Sequence, residues 1–279
     1  ARALPDPPAG GRGGGSVKIH YGKASVRFYR TDAGGGLFAG DIALDVSGDR
    51  LRDAWTTGDN TSLVATDSMK NFIHAAALEY RGDDVEGFSA FVARRFLATY
   101  PHVGRVRVRG RELPFAAEGP ISYGPRFEDY GVAEVEIDAG GLVGHRCGRE
   151  SLKLVKLGGS SFAGFIRDAY TTLPETRDRP LFIYLDAYWR HREFDARVPS
   201  LDVRAVIVET FDAFVSESIQ QLIHEIGRRL LERFPSIAEV EFEAQNRLWD
   251  SVASADGGRR VVHTDPRPPY GTIGLVLGR

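Results

Sequence analysis

The decisive stretch of the sequence, residues 94–108, reads RRFLATYPHVGRVRV, and residues 228–242 read RRLLERFPSIAEVEF. In both stretches an arginine pair on a predicted helix is followed by an aromatic residue, a proline that ends the helix, and an alternating strand. The two stretches match at a constant offset of 134 residues, the difference between 228 and 94. This agreement in register predicts that the chain is a tandem duplication.

Hydrophobic periodicity around these stretches predicts the same element order in each half: two strands, two helices and two further strands. Each half is therefore expected to form an antiparallel sheet with helices on one face, which is an α+β fold. Asp67 or Ser68 is expected to cap the first helix, and Gly34–Gly36 to form the turn of the first hairpin. The predicted strands are residues 17–29, 37–46, 106–110, 132–138, 152–157, 180–189, 239–246 and 271–277, and the predicted helices are residues 67–80, 87–99, 203–214 and 218–233.

The duplication divides the chain into a first unit at residues 16–148 and a second unit at residues 149–279. A proline- and glycine-rich arm at residues 1–15 precedes them and is expected to be flexible. Two units of this kind leave strands exposed at the edges of their sheets. Because pairing with another copy of the chain would cover those edges, we expect a homo-oligomer.

The composition argues against several classes of partner. The 279 residues carry a formal net charge of −2, so no bulk charge attracts nucleic acid or an anionic membrane. No apolar run approaches the roughly 18 residues of a membrane span, and the N-terminal stretch lacks the apolar segment of a signal peptide. Cys147 is the single cysteine, so an intrachain disulfide is impossible. These features predict a cytoplasmic protein.

The familiar motifs of metal, nucleotide and serine chemistry are missing from the sequence. His145 and Cys147 offer too few ligands for a metal site, and the stretch HEIGR at residues 224–228 lacks the second histidine of a zincin helix. The glycine-rich stretches match neither the dinucleotide fingerprint nor a phosphate-binding loop, and GxSxG does not occur. An enzyme with this sequence is therefore expected to work without metal or organic cofactor.

Several polar stretches carry little information singly but form an ordered series. Taken alone, Lys23 within a strand pattern predicts only a solvated lysine, and residues 164–179 predict only a polar loop with ion pairs. Together the stretches resemble the urate oxidase (uricase) family over about residues 17–279, and most closely its bacterial members, which share the pattern QN-x-x-WD found at residues 245–250. The motifs that carry the resemblance are YGK at residues 21–23, VATDSMKN at 64–71, SSFAGFIRDAYTTLPETRDR at 160–179, SIQ at 218–220 and PPYGTIG at 268–274.

The resemblance implies a fold, an assembly and a reaction. Members of the family are built from paired tunnelling-fold (T-fold) domains and assemble into a homotetrameric β-barrel with active sites between subunits. They oxidise urate with O2 to 5-hydroxyisourate and release H2O2, with neither metal nor organic cofactor. The implied partners of this chain are therefore urate, O2 and further copies of itself.

The resemblance also implies a role for individual residues. The planar guanidinium of Arg179 can give two parallel hydrogen bonds to one edge of the urate anion, and Phe162 can stack on its face. Lys23 and Thr66 are the implied pair that removes a second proton from urate. The full implied set is Lys23 and Thr66 for catalysis, Thr66, Asp67, Phe162, Arg179, Ile219, Gln220 and Asn246 for binding, and Ile273 as an apolar wall.

One position departs from the family pattern. Many members have a histidine two residues after the asparagine, which completes a proton relay, whereas this chain has Leu248 there. Either Lys23 and Thr66 suffice with water, or His263 substitutes, or catalysis is weak. A further hypothesis is that the positive charge of Arg247 acts on Lys23, if the two side chains lie close together. The alternative readings are a purine-binding protein with little turnover, and a pterin enzyme of the same fold, whose metal-binding histidines or acidic residues this sequence lacks.

Overall fold

The structure, a computed structural model, describes residues 19–33 and 35–279. Three predictions fall outside the described residues: the flexible arm at residues 1–15, the first two residues of the first predicted strand, and Gly34 in the predicted turn. In the described part of that turn, Gly35 has a φ of 82°, a left-handed conformation that glycine adopts without steric cost. Its N–H donates to the Asp32 carbonyl at 3.0 Å, which closes the connection between the first two strands.

Every predicted strand and helix overlaps an observed element of the same type. Two short 3-10 helices, Asp49–Leu51 and Asp256–Gly258, complete the described secondary structure. The described strands are β1 (Tyr21–Thr31), β2 (Leu37–Ser47), β3 (Arg105–Glu112), β4 (Phe115–Ala117), β5 (Tyr123–Pro125), β6 (Tyr130–Asp138), β7 (Gly141–Lys156), β8 (Leu181–His191), β9 (Ile237–Arg247), β10 (Ser251–Ala255), β11 (Arg260–His263) and β12 (Gly271–Gly278), and the helices are α1 (Asp53–Thr56), α2 (Thr66–Glu79), α3 (Val85–Thr99), α4 (Ser200–Ala213) and α5 (Ile219–Arg233).

A single antiparallel sheet of eight strands runs through the described chain in the order β1-β2-β3-β6-β7-β8-β9-β12. The first four strands belong to the first half and the last four to the second half, and the strand order within each half is the same. Along the chain, helices α2 and α3 come between the second and third sheet strands of the first half, and α4 and α5 come between the second and third sheet strands of the second half. Strands β1 and β12 are the two edges, so each has one neighbouring strand within the described residues. The α+β class is confirmed.

The apolar side of the sheet faces the helices and forms the core. Along β2 the side chains of Ile42, Leu44 and Val46 are almost fully buried, while the residues between them are not. Phe88 from α3 packs its ring 4.9 Å from that of Phe28. Burying a side chain of this size stabilises the fold by about 1.5–3 kcal/mol. Apolar and polar residues therefore alternate along these strands because the helices cover only one face of the sheet.

Strand β7 is the largest departure from the sequence prediction, because it begins at Gly141 rather than at residue 152. Its first ten residues include three glycines and no alternating apolar pattern, so local propensity gives no strand signal. Pairing with β6 on one side and β8 on the other imposes the strand conformation instead. The predicted boundary between units at residues 148 and 149 consequently lies inside β7. The small hairpins β4–β5 and β10–β11 were not predicted.

The two halves are joined by a buried ionic cluster, here called the junction cluster, which consists of Glu112, Asp129, Arg149, Ser200 and Arg204. Arg149 has a fully buried side chain; its Nε donates to Asp129 and its Nη1 donates to the Ser200 hydroxyl at 3.2 Å. Arg204 Nε donates to the same Asp129 carboxylate at 2.9 Å. Glu112 lies 3.5 Å from Arg149 and accepts a hydrogen bond from the Gly131 N–H. Strands β3 and β7 and helix α4 are thereby held together.

None of the described helices has the length and apolar content that crossing a membrane would need.

Candidate active site

The first cluster of predicted site residues, here called the lysine group, consists of Lys23, Thr66 and Asp67. Lys23 is half-buried on β1, and the other two residues are exposed at the start of α2. The hydroxyl of Tyr21 accepts from the Val64 N–H at 2.8 Å and donates to the Val64 carbonyl at 3.2 Å. This pair of hydrogen bonds holds the start of α2 beside β1. Sequence reasoning missed Tyr21, although it stands in the YGK motif.

The start of α2 differs from the prediction in its cap. The helix begins at Thr66, and the residue before it, Ala65, makes no capping hydrogen bond with its side chain, so Asp67 and Ser68 are not the cap. The Asp67 carboxylate instead accepts from Lys70 Nζ at 2.5 Å. This hydrogen bond and the charge of Lys70 lower the pKa of Asp67, and Lys23 adds a smaller contribution in the same direction. The first turn therefore presents backbone N–H groups beside Lys23, an arrangement that favours an anion.

The second cluster, here called the arginine group, consists of Phe162, Arg179, Ile219, Gln220 and Asn246. The loop that carries Phe162 and Arg179 folds back on itself: the Arg179 N–H donates to the Ser160 carbonyl at 2.9 Å, and Phe162 pairs with Thr176 in an isolated bridge. A parallel bridge between Ser160 and Ser216 then docks this loop next to the start of α5.

The loop places the Arg179 cation beside a pair of stacked aromatic rings. The Phe162 ring is stacked on the Phe165 ring with centroids 4.9 Å apart and planes 14° apart. The Arg179 guanidinium carbon lies 5.9 Å from the Phe162 centroid. Partial burial lowers the pKa of Arg179, and its buried Nε has no hydrogen-bond partner among the described residues. A partly desolvated guanidinium with a free donor binds a flat anion well.

The start of α5 completes the arginine group. Ser218 caps the helix, since its hydroxyl accepts from the Gln221 N–H at 3.1 Å. Gln221 in turn accepts from the Glu217 N–H at 2.7 Å, so this amide is occupied, whereas Gln220 is exposed. Ile219 is buried, and Asn246 is half-buried near the end of β9, opposite Ile183 of β8.

The two groups do not meet within one chain. Lys23 of the lysine group lies on β1, the first strand of the sheet, and Asn246 of the arginine group lies on β9, the seventh. Six strand spacings of about 4.8 Å separate them by roughly 29 Å along the sheet. Ile273 lies on β12, the other edge, opposite Ala244. Each edge of the sheet therefore carries one part of the predicted site.

Arg247 follows Asn246 in β9. Consecutive strand residues point to opposite faces, and Arg247 lies with its guanidinium carbon 3.7 Å from the Tyr270 ring centroid and 4.5 Å from that of Tyr184. This geometry gives no support to an action of Arg247 on the lysine group. Leu248 is 46% exposed, and the His263 ring packs 5.0 Å from that of Trp249.

At the junction between the two halves, residues of the chain occupy positions equivalent to those of residues in the lysine and arginine groups. Strand β1 has a bulge between Lys23 and Val26, and β7 has one between Arg149 and Leu152. Both bulges contain a serine with positive φ two residues after the cation, 57° at residue 25 and 65° at residue 151. Arg149 therefore occupies in the second half the position that Lys23 occupies in the first.

The constant offset of 134 residues extends the equivalence to the other positions. Helices α2 and α4 start 134 residues apart, as do α3 and α5. In the junction cluster, Arg149 contacts both Ser200 and Glu112. The sequence repeat relates Ser200 and Glu112 to the predicted site but not Arg149, because 149 and 23 differ by 126 residues rather than by 134. By this offset Ser200 corresponds to Thr66, Glu86 to Gln220, and Glu112 to Asn246.

Comparison with solved structures defines the class of protein first. The chain superposes on the crystal structure of urate oxidase from Bacillus sp. TB-90 with a TM-score of 0.86 at 34% identity, covering 94% of this chain and 100% of the other. It superposes on the structure of a uricase from Bacillus fastidious with a TM-score of 0.87 at 34% identity, covering 95% and 94%. The α+β fold is thus the one that these proteins share.

Sequence comparison then gives the family. A family model described as Uricase matches residues 19–117 and 145–274. A uricase of Haloferax volcanii is 38% identical over 90% of this chain and 95% of its own length. The uric acid degradation bifunctional protein of Bacillus sp. TB-90 is 38% identical over 84% of this chain. This chain spans only 52% of that protein. The chain belongs to the uricase family, and the resemblance read from its motifs is confirmed.

Proposed function

We propose that this chain oxidises urate with O2 to 5-hydroxyisourate and H2O2, without metal or organic cofactor. Membership of the uricase family supports the substrate class. The observation that carries the proposal is the composition of the two groups: a cation beside an aromatic face in one, and a lysine beside a threonine at a helix start in the other. Together they offer every contact that a flat, carbonyl-edged anion requires.

The arginine group is proposed to bind urate. The free donors of Arg179 face one edge of the anion, and the Gln220 amide supplies a donor and an acceptor to a neighbouring edge. Phe162 stacks on the purine face, a contact worth about 1–3 kcal/mol for a nucleic-acid base. Ile219 contributes backbone contacts and Ile273 an apolar wall. Asn246 is proposed to hold O2, peroxide or water over the purine plane.

The lysine group is proposed to carry the proton chemistry. Thr66 passes a proton from urate or water towards Lys23, and the N–H of Asp67 binds the anion at the helix start. Removal of a second proton makes urate electron-rich enough to reduce O2 directly. In the overall balance, urate gives two electrons to O2, which leaves as H2O2, and water supplies the hydroxyl group of the product. Because Leu248 cannot shuttle a proton, we propose that Lys23 and Thr66 work with water.

Two copies of the chain are proposed to form each site. The lysine group of one copy would face the arginine group of the other, where β1 of one sheet meets β12 of the next. The junction between the halves supports this arrangement, because there the equivalents of Lys23, Thr66 and Asn246 are already in contact within one chain. We propose two tandem T-fold units at residues 16–148 and 149–279, joined through β7, that assemble into a cytoplasmic homotetrameric barrel.

The proposal is tested by mixing the purified, chelator-treated protein with urate in air. We expect loss of the ultraviolet absorbance of urate and formation of an equal amount of peroxide. Lys23→Met and Thr66→Val should each lower kcat by at least about 100-fold, the usual size of a general acid–base contribution, which is far more than they weaken urate binding. Lys153, an exposed lysine on β7 that belongs to neither group, gives the matched control Lys153→Met. Tight urate binding without peroxide would instead support a purine-binding protein, and activity lost on chelation would contradict cofactor-free oxidation.

A further inference from the structure

A cavity of about 520 Å³ opens between the two halves, away from both the lysine and the arginine groups. Helix α3 forms one side of it, and the segment that follows β8 forms the other. The proposed reaction does not involve this cavity, and of the stretches quoted above only the repeated one contributes to it, through Arg94 and Arg95. Its principal lining residues are three arginines, one carboxylate and two aromatic rings: Arg94, Arg95, Arg197, Asp195, Tyr80 and Phe91.

The arginines of the cavity have long or incomplete ion pairs. Arg94 lies 3.5 Å from Asp195, and Arg197 lies 4.0 Å from the same carboxylate. Arg197 is also 3.5 Å from Asp84, the residue that caps α3. Distances of this length are at or beyond the limit of a normal hydrogen bond.

Arg95 is the third arginine of the cavity wall. Its Nη2 donates to Glu79 at 2.6 Å, and its guanidinium carbon lies 4.8 Å from the centroid of the Phe72 ring. Its Nη1 is buried and has no hydrogen-bond partner among the described residues. A buried donor without a partner costs about 1–3 kcal/mol, and more when it is charged. The described residues therefore satisfy the Arg95 guanidinium only in part.

In the second half of the chain, the equivalent arginine pair forms short ion pairs. By the offset of 134, Arg228 and Arg229 on α5 correspond to Arg94 and Arg95. Both pair with Glu225, Arg228 at 2.9 Å and Arg229 at 2.7 Å, and Arg228 also pairs with Glu232. The positions of these two glutamates on α3 are occupied by Phe91 and Ala98, which both line the cavity.

We propose that this cavity binds a small organic anion that carries a phosphate or carboxylate beside a flat apolar body. The acidic group lies between the side chains of Arg94, Arg95 and Arg197 and supplies the negative charge that Glu225 and Glu232 supply in the second half. The flat body lies against Tyr80 and Phe91. Because α3 belongs to the first half and Arg197 to the second, the bound anion bridges the halves and stabilises the assembled chain.

Phenyl phosphate is a suitable probe, because it combines a dianion with an aromatic ring. We expect saturable binding by calorimetry and a melting temperature that rises with ligand concentration. Inorganic phosphate should bind more weakly, and phenol should not bind. Arg94→Ala should weaken binding of phenyl phosphate at least about tenfold, the loss expected for one charge-assisted contact. Arg228→Ala is the matched control and should leave binding unchanged.

A second variant tests the same idea without removing an arginine. Phe91→Glu installs on α3 the acid that α5 already has, so it should abolish binding of phenyl phosphate while raising the melting temperature of the free protein. The proposal is overturned if phenyl phosphate does not bind, if Arg94→Ala and Arg228→Ala weaken binding equally, or if Phe91→Glu binds as well as the parent chain. None of these outcomes depends on whether the chain oxidises urate.

Discussion

Removal of the Asp129 carboxylate is the sharpest test of how the two halves are held together. In Asp129→Ala the Arg149 guanidinium stays fully buried but loses its closest partner. It keeps the uncharged Ser200 hydroxyl at 3.2 Å and the Glu112 carboxylate at 3.5 Å. Neither replaces a carboxylate in close contact with the guanidinium. Breaking a buried pair in this way costs about 3–5 kcal/mol. At about 2–4 °C per kcal/mol, the melting temperature should fall by roughly 10 °C.

The assay is chemical and thermal unfolding at one fixed protein concentration, because assembly would add to the apparent stability. Asp138→Ala is the control, since Asp138 pairs with the exposed Arg105 at 3.3 Å, and an exposed pair contributes only about 0–1 kcal/mol. The double variant Asp129→Ala with Arg149→Met should recover part of the lost stability, because it removes the unpaired buried charge. An Asp129→Ala protein no less stable than the control would refute this role for the junction cluster.

Three other perturbations follow from the structure. Burial raises the pKa of Glu86 to about 7 from its usual 4.5, so the stability that this group contributes below pH 4.5 is lost as the pH rises through 7. Glu86→Gln should therefore be more stable than the parent by about 3 kcal/mol at pH 8, but not at pH 4, when unfolding is followed against pH. Tyr21→Phe removes both hydrogen bonds to Val64, so kcat for urate should fall several-fold while the assembly size stays constant in gel filtration. Arg247→Ala should leave the pH–rate profile unchanged, because the guanidinium lies between two tyrosines; a shifted profile would show that it acts on Lys23.

The sequence predicted the fold well because its elements carry local signals. The strands with one-sided burial, such as β2 and β3, alternate clearly, and the helices α3 and α5 are repeated in register. The start of β7 could not be predicted, because its first residues carry no strand signal of their own and take the strand conformation by pairing with β6, joined by β8 from Cys147 onward. The absence of a side-chain cap on α2 was equally hidden, since Asp67 and Ser68 are good capping residues but lie inside the helix, which begins at Thr66.

The candidate site was predictable as a set of residues but not as a geometry. The motifs named the residues of both groups, and the structure places each group in one region of the sheet. What the motifs could not give is the distance between the groups, which depends on how many strands separate β1 from β9. The junction cluster could not be predicted from the sequence for a different reason. Its members are ordinary ion-pairing residues, and only the bulges of β1 and β7 reveal that they occupy equivalent positions.

The most direct test of the two-copy site is to combine two inactive variants. Lys23→Met disables the lysine group and Asn246→Ala disables the arginine group, so each variant alone should be inactive. If each site takes one group from each of two chains, random co-assembly of equal amounts should restore about a quarter of the sites to the parental composition. We expect the co-expressed variants to show about that fraction of parental urate oxidation. Activity no higher than that of either variant alone, in assemblies shown to contain both chains, would contradict a site formed between two copies.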